Sequence, residues 1–188
     1  MRLSKKIFII TGPSAAGKTT IARALVQTDL PLAKVITTTS RSRRRGEKED
    51  RDYHFVSPTR FKQMIRTGKM FEWAKFTNHY YGSRKKDVEH VAKAGKYPIW
   101  VVDTQGADFL GQKYRRAVTI FIMPSSFSIL RKRLEKRRLP EAEIRARLRI
   151  AQQEIKKAPK YDHRIINYDG RLEDVVREAK DLIKREIS

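Results

Sequence analysis

Eight consecutive residues, Gly12-Pro13-Ser14-Ala15-Ala16-Gly17-Lys18-Thr19, have the order of a loop that wraps phosphate groups, G-x-x-x-x-G-K-[ST]. The glycines let backbone N–H groups turn inward on phosphate oxygens. A helix starting at the end of the loop adds the positive end of its dipole. Lys18 is placed to reach the outer phosphates, and the Thr19 hydroxyl can ligate Mg²⁺. The bland alternative is a tight strand-to-helix turn. Against it, an apolar run precedes the loop and a helical pattern follows it, as the phosphate-binding mechanism requires. The chemistry implied is binding of a nucleoside triphosphate. That class still includes hydrolysing switches, motors and small kinases.

The elements that must position this loop follow from periodicity. Ile7 to Ile10 reads as a buried strand, and Thr19 to Gln27 as a helix with Ile21, Ala22, Leu25 and Val26 on one face. Lys34 to Thr38, Ile99 to Asp103 and Ala117 to Met123 are further strand candidates. Ser126 to Arg138, Glu141 to Lys157 and Leu172 to Ile187 each carry one apolar stripe at helical spacing. Short apolar runs alternating with amphipathic ones predict an α/β fold with a parallel sheet. The stretch Arg41 to Ser83 breaks that alternation. It opens with an almost wholly polar segment to Asp52 and contains Ser57-Pro58, a cap and first-turn proline ahead of Phe61, Met64 and Ile65. It reads as a small inserted subdomain. A polar, arginine-rich insert and a second basic excursion at Arg133 to Pro140 favour a small kinase, which must close over two anions and exclude water.

Composition bounds the reading. The chain has 188 residues, one domain by length. Zero cysteines exclude disulfides, thiolate nucleophiles and cysteine-bound zinc, and suit a reducing compartment; we expect a cytoplasmic protein. Met1 to Lys6 resembles the start of a signal peptide, but the apolar part ends at Thr11-Gly12-Pro13, too short for one. No apolar run approaches the roughly 20 residues a spanning helix needs, so no membrane partner is expected. Lys plus Arg number 43 against 21 Asp plus Glu, a net charge of +22. That surplus predicts affinity for polyanions. With no nucleic-acid module visible, nucleic acid is expected only as a weak, non-specific, salt-dependent partner. No oligomeric state follows from the sequence.

The remaining motifs resemble one family, the guanylate kinases. They are Thr37-Thr38-Thr39-Ser40-Arg41, Arg44-Arg45-Gly46-Glu47, Asp52 to Ser57, Phe71-Glu72-Trp73-Ala74, Tyr80 to Ser83, Asp103-Thr104-Gln105-Gly106, Arg133 to Arg137, Arg147-Leu148 and Ile166-Asn167. The resemblance runs in order from about Lys6 to Asn167. It implies transfer of the ATP γ-phosphoryl group to GMP, giving GDP and ADP, with Mg²⁺ accompanying ATP. The fold implied is a P-loop nucleoside monophosphate kinase: a parallel sheet flanked by helices over 1–35, 84–125 and 156–188, a GMP-binding subdomain over 36–83, and a lid over 126–155.

The resemblance also assigns residues. Gly12, Ser14, Ala15, Ala16, Gly17, Lys18, Thr19, Thr20 and Asn167 would hold ATP, Asn167 near the adenine; an Asx turn is the other reading of Asn167. Glu72 would read guanine, whose edge presents two adjacent N–H donors where a carboxylate presents two acceptors; adenine offers an acceptor there, which a carboxylate repels. Thr37, Gly82 and Ser83 would complete that edge. Arg41, Arg44, Tyr53 and Tyr81 would hold the GMP phosphate. Asp103 would organise Mg²⁺ with Thr19 or contact the acceptor nucleotide, with a helix N-cap as its alternative. Lys18, Arg41, Arg137 and Arg147 would act on the transferring group, with Arg133 a weaker candidate. No protein base is needed, because a GMP phosphate oxygen is already an anionic nucleophile. The four histidines read as structural or surface groups.

Three departures from the family pattern stand out. Val101 occupies a position, two before Asp103, that is usually acidic. Ala15 replaces the usual fourth-position glycine, and its methyl is expected to fit if φ stays negative. The segment between Arg137 and Arg147 is one residue short. They leave two other readings open: a guanylate-kinase-like nucleotide or protein binding module with reduced catalysis, and a basic P-loop kinase for another phosphorylated small molecule.

Overall fold

The computed structural model describes residues 5–43, 46–76 and 78–188. Its centre is a five-stranded parallel sheet in the order β2 (Leu32–Lys34), β7 (Tyr97–Val101), β1 (Ile7–Thr11), β8 (Ala117–Pro124), β9 (His163–Asn167). All five residues of β1 are buried, as expected for a middle strand of a sheet covered on both faces. Phe8 and Ile10 face α1 (Lys18–Val26) and α7 (Leu172–Ile187), packing with Ile21, Leu25, Val175 and Ile183. Ile7 and Ile9 face the other way, toward Val88 and Val91 of α3 (Lys85–Lys93) and Leu110 of α4 (Thr104–Lys113).

The insert forms its own four-stranded sheet: β4 (His54–Phe55), β3 (Thr37–Thr39), β6 (His79–Arg84), β5 (Met70–Phe76). Helix α2 (Pro58–Arg66) covers one face of it. Ser57 caps this helix by accepting from Arg60 N, and Pro58 opens the first turn, as the sequence predicts. Helices α5 (Phe127–Glu135) and α6 (Glu141–Lys156) form a hairpin whose apolar residues Leu130, Leu134, Ile144 and Ala151 pack on Ala15 of the P-loop.

Several boundaries move. Lys34 to Thr38 is not one strand: β2 ends at Lys34 in the core sheet, and β3 starts at Thr37 in the inserted sheet. The strand expected through Asp103 stops at Val101, because Asp103 caps α4, its Oδ1 accepting from Gly106 N at 2.8 Å. Helices α3 and α4 and strand β9 had no sequence expectation.

Ala15 does not meet the condition set for its methyl. Its φ is +66°, in the left-handed region and not at negative φ. That conformation costs an alanine about 1 kcal/mol. The methyl is nonetheless buried against the α5–α6 hairpin, which returns about 0.8 kcal/mol. A glycine would also give the unfolded chain an extra ~0.4–1 kcal/mol of entropy. The opposing contributions nearly cancel, so we expect Ala15→Gly to leave Tm within about 3 °C of the parent in a thermal melt. A larger rise in Tm would mean that strain outweighs packing.

Candidate active site

The phosphate loop sits at the carboxyl end of the central strand, where open α/β sheets place their ligands. Two glycines are sterically required. A Cβ on Gly12 (φ +131°) would lie 2.4 Å from Ile122 O, and one on Gly17 (φ +97°) would lie 2.3 Å from Asn167 Nδ2. Asn167 is buried and donates to Ala16 O at 2.7 Å, so it fastens the loop to the end of β9 and is not a surface turn residue. Lys18 Nζ donates to Gly12 O at 2.6 Å and Pro13 O at 2.9 Å. Ser14 Oγ accepts from Arg147 Nη1 at 3.3 Å, and Ala15 O accepts from Arg133 Nη1 at 3.3 Å. The hairpin thus lays two arginines on the loop. Arg147 is held by Glu143 one turn earlier, and Arg133 by Asp169. Arg137, on the exposed turn after α5, is near enough to Lys18 to influence its titration. Thr19 is half-buried in the first turn of α1, and Thr20 beside it is exposed.

Across the cleft, sheet pairing lines up residues distant in sequence. Thr37 pairs with Ser83, and Ser83 with Glu72, so the three lie in one row over β3, β6 and β5. All three are buried. A bulge between Met70 and Glu72 sets this register. Ser83 Oγ donates to Glu72 Oε1 at 2.7 Å and accepts from the Trp100 indole N–H at 2.9 Å. Burial pushes the Glu72 carboxyl up to about 7, against the Ser83 hydrogen bond. Gly82 pairs with Trp73 and has no room for a side chain: a Cβ there would lie 2.4 Å from Glu72 O.

Beside this row stands a cationic and aromatic group. Arg41 is buried, its guanidinium carbon 5.5 Å from the centre of the Tyr53 ring, and Tyr53 lies 6.4 Å from Tyr81. Arg41 Nη2 binds Glu47 Oε1 at 2.8 Å. Arg44 lies outside the described residues.

Asp103 joins the two halves electrostatically. Its charge is felt at Lys18 on one side and at Glu72 on the other. Lys18 is pushed down to about 8 by burial, opposed first by Glu154 and then by Asp103. Glu154 is the residue that the sequence reading missed. It is buried on α6, accepts from Thr104 Oγ1 at 3.4 Å, and burial pushes it above the ordinary carboxylate range. The signal was present: Glu154 follows Ala151 by three residues on a stripe otherwise apolar. The sequence likewise marks Trp100 only as part of a buried strand.

A family model described as guanylate kinase matches residues 4–186. The chain belongs to the guanylate kinase family, a family of ATP-dependent nucleoside monophosphate kinases. It is 36% identical over 181 residues to the guanylate kinase of Nitrosomonas europaea, covering 96% of this chain and 89% of that one. It is 40% identical over 165 residues to that of Thermosynechococcus vestitus, covering 87% and 86%. The crystal structure of guanylate kinase from Anaplasma phagocytophilum superposes with a TM-score of 0.79 at 29% identity, covering all of this chain and 88% of that one. The chain is an α/β protein whose central sheet is parallel and flanked by helices. Among the described residues, no helix is long and apolar enough to cross a membrane.

Proposed function

We propose that this protein transfers the γ-phosphoryl group of ATP to GMP, giving GDP and ADP, and does so in the cytoplasm. The observation that carries the reading is the buried row of Thr37, Ser83 and Glu72. A carboxylate in that row offers two acceptors to the N1–H and 2-amino donors of guanine. Ser83 and Trp100 fix its orientation, so the acceptors are aimed before the base arrives. Arg41, Tyr53 and Tyr81 hold the GMP phosphate, with Glu47 occupying the Arg41 fork until that phosphate takes its place. Arg44 serves the same phosphate. The loop from Gly12 to Thr20 cradles the ATP phosphates, and Asn167 holds that cradle in shape.

The donors around Lys18 are hard oxygens, suited to Mg²⁺: the Thr19 hydroxyl and the carboxylates of Asp103 and Glu154. Thr19 and Asp103 would hold the ion, which supplies charge neutralisation at the β- and γ-phosphates when bound. In the transfer step a lone pair of a GMP phosphate oxygen forms the new P–O bond, and the bond to the bridging oxygen of ADP breaks. Lys18, Arg147 and Arg137 face the charge that spreads over the transferring group. Residues 126–155 close over it, since the α5–α6 hairpin already rests on Ser14 and Ala15.

Release of ADP from MgATP, measured with AMP, CMP, GMP and UMP in turn, tests the reading. We expect release with GMP alone, with Lys18→Ala as the blank. Nucleotide binding without any GMP-dependent turnover would overturn it in favour of a binding module. A second prediction concerns Glu154. Of the charges acting on Lys18, Glu154 does most to keep it protonated, so Glu154→Gln should move the alkaline fall of kcat/KM for ATP to lower pH. An unmoved profile would show that Glu154 only packs.

A further inference from the structure

The charge of the chain exceeds what its chemistry uses. Two bound nucleotides call for about four cations, against a net of +22. Part of the surplus has an address. Residues 58–86 contain eight Lys and Arg and a single acid, Glu72. Strand alternation points that acid into the cleft, together with Tyr81 and Ser83. Trp73, Lys75, Tyr80 and Gly82 lie on the opposite side of the sheet. Helix α2 covers only part of that back face, through Phe61 stacked on Tyr80 at 5.4 Å and Met64 packed with Met70. Trp73 stays 44% exposed beside it, its ring 6.2 Å from Tyr80, with Lys75 Nζ 6.0 Å from the same tyrosine ring.

The cations converge at one end of this face. The chain leaves α2 at Arg66, and Lys85 N donates to Lys69 O at 2.9 Å where α3 begins. Lys85 Nζ also approaches to 3.9 Å from the position of a Cβ on Gly68. Arg66, Lys69, Lys85 and Lys86 are exposed around that junction. Two kinds of polyanion meet such a surface. A lipid headgroup layer is best held by a helix with an outward apolar stripe, but the apolar residues of α2 are turned inward and buried. A single nucleic-acid strand needs cations along its backbone and an exposed aromatic face on which a base can stack. The back face supplies both.

We propose that the back of the inserted sheet binds single-stranded nucleic acid, with a base stacked on Trp73 and the flanking phosphates on Lys75, Arg66, Lys69, Lys85 and Lys86. This site lies on the opposite face from Glu72, so it stands or falls independently of the kinase reading. The test uses the whole protein and a fluorescein-labelled 20-residue oligouridylate, followed by anisotropy between 50 and 300 mM KCl. Contact with about five phosphates of a single strand predicts a slope of log K against log[KCl] near −3.5. Trp73→Ala should weaken binding by about five-fold or more. Lys69→Glu/Lys86→Glu should abolish it at 200 mM KCl. Lys156→Glu/Arg185→Glu changes the net charge equally on α6 and α7 and should leave affinity within about two-fold. Thermal melts matching the parent within about 3 °C in all three variants confirm that they are folded. No binding at 50 mM KCl would overturn the proposal, as would equal losses from the two charge-reversal pairs or an unaffected Trp73→Ala. Binding to phosphatidylglycerol vesicles but not to the oligonucleotide would assign the face to lipid and overturn it too.

Discussion

Glu72→Gln should lower kcat/KM for GMP by about 10²–10³-fold and, in the same molecule, stabilise the ligand-free protein above neutral pH. Both effects come from burial of one carboxylate. In the unfolded chain the group titrates at its ordinary value of 4.5, and in the fold at about 7. Below 4.5 it is protonated in both states and costs nothing. Between 4.5 and 7 the unfolded chain ionises first, so stability falls as pH rises. Above 7 the penalty is constant at about 3 kcal/mol, because each tenfold change in proton affinity is worth roughly 1.4 kcal/mol. Glutamine carries no charge to desolvate, and its carbonyl can still accept from Ser83. We expect Glu72→Gln to melt several degrees higher than the parent at pH 8 and to show no advantage at pH 4. The cost appears when guanine binds. The amide NH₂ then faces one of guanine's own donors, and a buried donor without an acceptor is expensive. In the parent enzyme, kcat/KM for GMP should rise as pH increases through about 7. Retention of full GMP activity by Glu72→Gln would show that the buried row does not read the base.

How much of this site could be read in advance depended on how its residues are connected. The P-loop was plain because its residues are consecutive and its mechanism requires a strand before and a helix after; both are present. The guanine row was different. Thr37, Glu72 and Ser83 are 35 and 11 residues apart and meet only through the pairing of β3, β6 and β5. No periodicity predicts that pairing, so their grouping came from the family resemblance. Ala15 escaped because an alanine with φ of +66° is unusual, and the hairpin that makes it tolerable lies more than a hundred residues away. Helices α3 and α4 escaped because each has a weak signal. The first buries only Val88 and Val91, and the second contains Gly106 and Gly111. For Asp103 the sequence leaves a cleft role and a helix cap side by side, and its Oδ1 makes the cap. Local roles were legible where local chemistry dictated them, and long-range pairings were not.

The second large effect belongs to Lys18. Lys18→Ala should reduce kcat by about 10³-fold or more, with a much smaller change in GMP affinity. The ammonium is drawn in by Gly12 O and Pro13 O at 2.6 and 2.9 Å, so its position is fixed to within the loop itself. A cation held that rigidly in a partly desolvated site is worth far more to a transition state than one in water. Lys18→Arg should not rescue it. A planar guanidinium is larger than the ammonium and cannot be enclosed by the same two carbonyls. The pH dependence adds a check that loss of activity alone does not provide. Burial pushes Lys18 down to about 8, so free enzyme loses this positive charge as pH rises through that value. The parent's kcat/KM for ATP should therefore fall above about 8, while kcat/KM for GMP needs Glu72 ionised above about 7. These opposing demands confine efficient turnover to a narrow window near neutral pH. In Lys18→Ala the residual activity should keep the acid limb from Glu72 and lose the alkaline one. If the alkaline limb survives in that variant, another group produces it and Lys18 is not the titrating cation.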